Sequence, residues 1–335
     1  MLVNVGTCGW SRIYQGVQPS QRVGKSSLQV YAKLFRAVEI NSSFYKFHRF
    51  DTYRSWRAQV PRGFRFTIKS HRSLSHEWRL NATTDALGVF QRMVQAALVC
   101  QAKAILIQTP STLTPTEDTL RIVDLFFEKV KEHGVPLAWE TRGSGWETKE
   151  NRLKLSGILE KHGLAHVVDL MKNDPAVISK MAYIRLHGLP GYNLRYAYTN
   201  SQLLRLRQRI EKTLAEAKEV YVFFNNYNMY RDAQRFRKMV ETGELPPSPF
   251  GPRSLRIALE PYENWPVERS RLIEDCGKWY VWLKPDRAIR AAEVLRHLKE
   301  TEFNSVSELE DDVARFWSDL GLPEAEQVES EYAAR

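Results

Sequence analysis

The chain of 335 residues has little cysteine and no long hydrophobic run. Its three cysteines, Cys8, Cys100 and Cys276, are isolated, which excludes a disulfide framework or a zinc-finger spacing. No apolar stretch approaches the roughly 20 residues that a membrane helix requires, and the start lacks the basic and apolar regions of a signal peptide. We therefore expect a cytoplasmic protein that does not associate with membranes.

Two ligand-binding motifs are also missing. No glycine-rich fingerprint follows the first predicted strand, which disfavours a doubly wound nucleotide-binding sheet. No tight metal-ligand motif such as His-Glu-x-x-His is present, so the sequence leaves a metal cofactor open.

Positive charge is abundant and unevenly distributed. Residues 1–243 contain 37 basic and 20 acidic residues, a net charge of +17, whereas residues 244–335 contain 12 basic and 19 acidic ones, a net charge of −7. A field of the first sign favours polyanions such as DNA, RNA or phosphorylated metabolites. The alternative is a basic surface without a function.

Short apolar strands alternate with amphipathic helices through the first 240 residues. We predict eight strands, at residues 3–9, 37–41, 64–69, 104–108, 137–140, 165–169, 183–188 and 220–226. Eight such units in about 240 residues match the count and size of a TIM-type (β/α)8 barrel. The basic barrel is expected to occupy residues 1–243.

A proline-rich linker at residues 243–249 ends the barrel. Residues 250–335 are predicted to form a small acidic α+β extension, with strands at 255–259 and 279–283 and helices at 286–299 and 305–320. Its acidic balance disfavours independent binding to duplex nucleic acid. We expect it to cover the barrel or to contact a protein partner.

Polar side chains occur where the strands end, which is where a barrel of this type carries its active site. In strand 183–188, for example, Arg185 and His187 are two residues apart and so share a face. The candidate catalytic residues are Glu39, Lys69, Glu140, Asp169 and His187. The candidate substrate-binding residues are Trp10, Asn41, Tyr45, Arg142, Trp146, Arg185, Asn225 and Asn226.

These residue types suit proton transfer beside an anionic group. Arginine and lysine can hold a phosphate or carboxylate, a buried glutamate can act as a general base, and His187 could transfer protons or bind a metal. A divalent metal could also bind through Glu140, Asp169 and His187. The aromatic residues Trp10, Tyr45 and Trp146 could stack on bases or sugars. The alternatives are a structural salt-bridge network and aromatic residues that belong to the core.

Five motifs in order resemble the YecE-like family, which is domain-of-unknown-function family number 72. They are Gly6-Thr-Cys-Gly-Trp10, Val38-Glu-Ile-Asn-Ser-Ser-Phe-Tyr45, Gly63-Phe-Arg-Phe-Thr-Ile-Lys69, Tyr183-Ile-Arg-Leu-His-Gly188 and Val222-Phe-Phe-Asn-Asn226. The resemblance covers residues 3–240 and implies a TIM-type barrel without a settled activity. At the fifth strand the chain keeps Glu140, Arg142 and Trp146 of the family's pattern but loses the residue after the arginine, so its specificity is expected to differ.

Three hypotheses for function follow. The leading one is a nucleic-acid-processing hydrolase, a nuclease that cleaves phosphodiesters at the mouth of the barrel. The second is a small-molecule barrel enzyme, such as an isomerase or hydrolase of a phosphorylated sugar. The third is a non-catalytic nucleic-acid-binding or adaptor protein.

Overall fold

Apolar runs of four to seven residues form eight parallel strands that close into a barrel in chain order, with the first strand paired to the eighth. The computed structural model describes residues 1–11, 13, 19–131 and 133–333. The strands are β1 Leu2–Cys8, β2 Ala37–Ile40, β3 Arg65–Lys69, β4 Ile105–Gln108, β5 Leu137–Glu140, β6 Ala165–Val168, β7 Met181–Leu186 and β8 Glu219–Phe224. The TIM-type barrel is thereby confirmed.

Helices follow most of the strands. They are α1 Ser27–Leu34, α2 Phe50–Ala58, α3 Thr84–Cys100, α4 Glu117–Lys129, α5 Lys149–His162, α6 Asn200–Thr213 and α7 Met229–Thr242. Threonine caps the start of α3, α4 and α5, where Thr83, Thr116 and Thr148 each accept a hydrogen bond from a backbone N–H of the first turn. Residues 169–180 form no helix, so the sixth connection departs from the predicted alternation.

The chain divides into two compact units. The first comprises Met1–Trp10, Tyr31–Leu186 and Arg209–Phe224 and contains all eight barrel strands. The second comprises Ser11–Val30, His187–Gln208 and Asn225–Arg335. The domain boundary between residues 243 and 250 stays a prediction. No helix within the described ranges is both long and apolar enough to span a bilayer.

Side-chain size alternates around the barrel interior. Alanines at positions 37, 104, 138 and 165 face the large aromatic residues Tyr183, Tyr221 and Phe223 on the last two strands. Small residues on one side therefore make room for rings on the other. Along β7, Arg185 is two residues beyond Tyr183 and points to the same face. The aromatic layer thus lies directly below the polar end of the barrel.

The strand predicted at 183–188 begins earlier and ends earlier than expected. β7 stops at Leu186, and Gly188 has a positive φ of 79°. A Cβ on Gly188 would lie 1.9 Å from the Asn193 carbonyl oxygen, so the chain turns there by using glycine. Tyr183, two residues before Arg185 in β7, shares the interior face with it, and His187 follows the end of the strand.

The second unit has its own secondary structure after residue 250. Its elements are α8 Arg253–Leu259, β9 Val267–Glu268, α9 Arg269–Cys276, β10 Tyr280–Lys284, β11 Arg287–Arg290, α10 Ala291–Leu295, β12 Glu302–Phe303, α11 Val306–Phe316 and α12 Ala325–Tyr332. The pairs β10–β11 and β9–β12 form two small antiparallel sheets. The α+β extension is confirmed, as is the strand near 279–283.

Two details of the extension correct or confirm the sequence prediction. The strand predicted at 255–259 is wrong, because this segment is α8 and buries Leu255, Ala258 and Leu259 at helical spacing. The helix predicted from residue 305 is confirmed and is capped by Ser305, whose hydroxyl accepts a hydrogen bond from the Glu308 N–H at 3.2 Å.

Gly6 of β1 provides a test of barrel packing. A Cβ at this position would lie 2.1 Å from the Ala37 carbonyl oxygen on β2 and 3.0 Å from the Tyr31 hydroxyl. We expect Gly6→Ala to lower the free energy of unfolding by about 1–3 kcal/mol, because neither strand can move without disturbing the closed sheet. Urea denaturation measures the change.

The matched control is Gly88→Ala in α3, where an added Cβ meets nothing within 4 Å. Alanine is preferred in helices, so this variant should be stabilised by up to about 1 kcal/mol. Equal effects of the two substitutions would contradict the packing argument.

Candidate active site

The centre of the candidate site is a buried ion pair between β7 and β2. The Arg185 guanidinium is only 1% exposed and donates from Nε and Nη2 to the two carboxylate oxygens of Glu39, at 2.9 and 3.0 Å. This paired geometry is the strongest that arginine forms with a carboxylate. Because Glu39 is completely buried, the pair orients both side chains and neutralises both charges.

Glu140 extends the ion pair to a second arginine. Its Oε2 accepts a hydrogen bond from Arg185 Nη1 at 2.6 Å, and its Oε1 accepts two from Arg142, at 3.0 and 2.8 Å. Burial by itself would lower the pKa of Arg185, but the carboxylates of Glu140 and Glu39 hold it well above its usual value. Arg185 therefore stays charged, and both acids serve as acceptors for guanidinium groups.

Three neutral groups complete the surroundings of the Glu39–Arg185 pair. Tyr183 donates its hydroxyl to Glu39 Oε2 at 2.8 Å, and the Thr67 hydroxyl lies 2.8 Å from the same phenol oxygen. Arg185 Nη2 lies 3.6 Å from the Cys8 sulfur. Burial and the nearby Glu39 charge raise the pKa of the Cys8 thiol, so it is protonated and unsuited to act as a nucleophile.

Lys69, the last residue of β3, is a buried cation of this cluster. It is 6% exposed, and its ammonium lies 3.9 Å from the centre of the Phe44 ring. Among the described residues it donates no hydrogen bond. Burial, followed by the positive charge of Arg185, lowers the pKa of Lys69 to about 8. A lysine with this pKa can both accept and donate a proton near neutral pH.

Two neighbouring polar atoms have no partner. The Asn41 side-chain oxygen and the Ser70 hydroxyl are buried and make no hydrogen bond within the described ranges. Asn41 directly follows β2 and Ser70 directly follows Lys69, so both belong to the ends of strands that carry the cluster. Buried polar atoms without partners are costly, and such atoms are suited to receive a ligand.

The aromatic candidates differ in exposure. Tyr45 is 68% exposed, and Trp10 is half-buried with its ring edge-on to Trp56 at 5.1 Å. Trp146 is almost completely buried, packs against Trp139 and donates its indole N–H to the Leu113 carbonyl at 2.7 Å. Only Tyr45 and Trp10 therefore offer ring surface to a ligand in this conformation.

The remaining candidates have partners of their own or belong to the second unit. Asp169 accepts a hydrogen bond from the Met171 N–H and pairs with Lys172 within the loop after β6. His187, Asn225 and Asn226 belong to the second unit.

In the second unit, the ring of His187 stacks on Tyr192 with centres 4.9 Å apart. Asn226 donates to the Tyr196 carbonyl and to Asp232, both at 2.6 Å. Asn225 is half-buried.

The structure adds residues that the sequence analysis did not select, namely Tyr183, Thr67, Phe44 and Ser70. Tyr183 had a recognisable signal, because it is two residues from Arg185 in an apolar strand and so faces the same way. Phe44 and Ser70 had none, since their roles depend on how loops return to the ends of β2 and β3.

The carboxylates do not fit a metal centre. Each oxygen of Glu39 and Glu140 already accepts from an arginine or a tyrosine. In the part of the chain that the structure describes, no group of three or more His, Cys, Asp or Glu residues is arranged to hold a metal ion. No catalytic step is therefore derived through a metal.

Removal of the central guanidinium should be severely destabilising. Arg185→Met leaves Glu39 and Glu140 as buried charges without their main partner, and we expect a loss of about 3–5 kcal/mol in the free energy of unfolding. Arg142→Met is the comparison, because the Arg142 side chain is 25% exposed and Glu140 keeps its hydrogen bond from Arg185, so this loss should be the smaller of the two. Urea denaturation measures both changes, and an equal loss in the free energy of unfolding for the two variants would contradict this account.

Lys69 should make stability depend on pH. The folded protein releases the Lys69 proton at about pH 8, whereas the unfolded chain retains it to about pH 10.5. The unfolded state therefore binds more protons in this range, and the folded state gains stability as the pH rises.

We accordingly expect Lys69→Met to be more stable than the natural chain by about 3 kcal/mol at pH 7, with the difference shrinking towards pH 10.5. Denaturation of both proteins at several pH values measures it. A difference that is constant with pH would contradict the lowered pKa.

Comparisons with known proteins agree with this architecture. The family described as "Protein of unknown function DUF72" matches residues 4–253. The UPF0759 protein YunF of Bacillus subtilis is 21% identical over 284 residues, which are 76% of this chain and 100% of YunF. The UPF0759 protein YecE of Escherichia coli is 30% identical over 96 residues, 29% of this chain and 35% of YecE.

Solved structures show the same fold. A DUF72 family protein from Thermotoga maritima is 25% identical with a TM-score of 0.59, and the similarity covers 72% of this chain and 100% of that one. A DUF72 family protein from Enterococcus faecalis is 20% identical with a TM-score of 0.58, covering 73% and 98% of the two chains. With a family match over most of its length and a barrel of the same type, the chain belongs to the DUF72 family.

Proposed function

We propose that the barrel is a small-molecule enzyme in which Lys69 transfers a proton to or from an anionic, hydroxylated substrate such as a phosphorylated sugar. The observation that carries this proposal is Lys69 itself, a buried lysine with a pKa of about 8 and no hydrogen-bond partner among the described residues. Such a group destabilises the fold while it is charged. Perturbed groups of this kind are concentrated in active sites.

The charge of the cluster supports an anionic substrate. Two carboxylates, Glu39 and Glu140, are matched by two guanidinium groups, Arg185 and Arg142. With Lys69 protonated, the cluster therefore carries a net charge of +1. Arg142, a quarter exposed, is the member of the cluster that a ligand phosphate or carboxylate could reach.

The unpartnered polar atoms support a hydroxylated substrate. The Asn41 carboxamide oxygen can only accept a hydrogen bond, and the Ser70 hydroxyl can accept or donate. Sugar hydroxyls supply both kinds of partner. In this assignment Glu39 and Glu140 position the arginines, and Lys69 alone handles the proton, because its nitrogen is not committed to another residue.

The nuclease hypothesis gains no support from this geometry. Glu39, Lys69 and Glu140 are each at most 7% exposed, so an extended polynucleotide backbone could not approach them without a rearrangement of the barrel end. The basic character of residues 1–243 remains compatible with phosphorylated metabolites.

The test is exchange of carbon-bound hydrogen with solvent. The protein is incubated in D2O with a panel of sugar phosphates and their unphosphorylated parents, and exchange and isomerisation are followed by NMR. We expect turnover of a phosphorylated compound that increases with pH and levels off above about pH 8, as the Lys69 amine loses its proton. Lys69→Met should abolish it, with a loss on the order of 100-fold or more.

The matched control is Lys103→Met, which removes an exposed lysine at the start of the neighbouring strand and should leave the rate unchanged. Labelled single-stranded and duplex oligonucleotides form a separate arm. Cleavage of an oligonucleotide that depends on Lys69, with no turnover of any small molecule, would overturn the proposal in favour of the nuclease. Activity that survives Lys69→Met would overturn the role of the lysine.

A further inference from the structure

The second unit contains an open groove of about 1290 Å³ whose lining belongs entirely to that unit. Seven of its lining residues are basic and three are acidic. The second unit as a whole contains 22 basic and 21 acidic residues, a net charge of +1. The lining of the groove is therefore more positive than the unit to which it belongs.

All three acidic residues of the groove are already engaged. Glu263 accepts hydrogen bonds from the backbone and hydroxyl of Ser20. Asp275 accepts from Arg271 and from the Tyr262 hydroxyl, at 3.1 and 3.2 Å. Asp286 accepts from the Tyr332 hydroxyl at 2.9 Å. Each carboxylate is thus directed to a protein partner.

Four of the cations have no such partner. Arg195, Arg231, Lys278 and Arg287 line the groove, and within the described ranges their side chains make neither a hydrogen bond nor an ion pair. Arg231, in the first turn of α7, is half-buried, and burial lowers its pKa to about 10. It remains charged at neutral pH. The groove therefore presents several charged side chains that are available to an anionic ligand.

Exposed aromatic rings accompany these cations. Tyr280 of β10 is 52% exposed and has the Arg290 guanidinium 4.1 Å from its ring centre, and Tyr227 is 55% exposed. Aromatic faces beside arginine and lysine are what unpaired bases require for stacking while their phosphates are held.

A buried serine is also among the residues that line the groove. Ser254 is 3% exposed, lines the groove and has no hydrogen-bond partner for its Oγ within the described ranges. A buried hydroxyl without a partner costs free energy unless a ligand or water satisfies it. This is an observation independent of the charges, and it points to a polar ligand at the same place.

We propose that this groove binds single-stranded nucleic acid, with the cations on the phosphates and the exposed tyrosines against the bases. An acidic peptide would bind to the cations but would not account for the exposed tyrosine rings, on which bases can stack. The proposal is independent of the proton-transfer site in the barrel, since no residue is common to both.

The experiment measures fluorescence anisotropy of the full chain with labelled oligo-dT and oligo-rU of about 12 nucleotides, at several salt concentrations. We expect salt-dependent binding. The double variant Lys278→Glu/Arg287→Glu should weaken it by at least about tenfold and make the logarithmic salt dependence shallower by about 1.4, for two lost phosphate contacts. Tyr280→Ala should weaken binding on the order of tenfold with an unchanged salt dependence.

The matched control is Arg253→Glu/Arg296→Glu, which makes the same change of charge at two exposed positions outside the groove. It should bind nearly as tightly as the natural chain. The proposal is overturned if no oligonucleotide binds, or if both double variants lose affinity equally, which would indicate only general attraction by charge. An acidic peptide that binds as tightly, with no effect of Tyr280→Ala on either ligand, would replace nucleic acid by a protein partner.

Discussion

The polar end of the barrel depends on one buried guanidinium. Arg185 of β7 binds Glu39 of β2 and Glu140 of β5, and so connects three strands that are not neighbours in the sheet. Charges this deeply buried are tolerated only when each is paired and hydrogen-bonded. Tyr183 donates a second hydrogen bond to Glu39 and is itself bonded to Thr67, and Arg142 donates to the remaining oxygen of Glu140. The geometry of the whole cluster follows from this requirement.

Once the arginines and carboxylates have neutralised one another, Lys69 is the charge that remains. Its side chain is buried with the Phe44 ring against the ammonium, and the positive charge of Arg185 outweighs the attraction of either Glu39 or Glu140. Both conditions favour the neutral amine, which is the physical reason for its lowered pKa. Such a group lowers the stability of the fold while it is charged, so stability does not explain its presence. Its retention at the end of a barrel strand is the strongest indication of chemistry in the first unit.

The groove of the second unit uses charge in a different way. In the barrel, opposite charges are buried and paired, which fixes the orientation of the charged side chains and shifts their pKa values. In the groove, Arg195, Lys278 and Arg287 are exposed and unmatched, which gives long-range attraction for an anion and little fixed geometry. The first arrangement suits reaction of a small molecule, and the second suits binding of a polymer whose charges repeat along its length.

The amino-acid sequence by itself determined the barrel, because eight apolar runs separated by amphipathic helices leave few alternatives. Site residues at the ends of strands could also be selected from their position, as for Glu39, Lys69, Glu140 and Arg185. The sequence could not show that the Tyr183 hydroxyl binds Glu39, a contact that joins β7 to β2, or that β7 ends two residues before the glycine that marks the turn. Nor could it show that residues 255–259 are helical, that Trp146 is covered, or that Lys278 and Tyr280 line one groove with Arg195. Those facts depend on contacts between residues distant in sequence, and such contacts form only when packing brings the elements together.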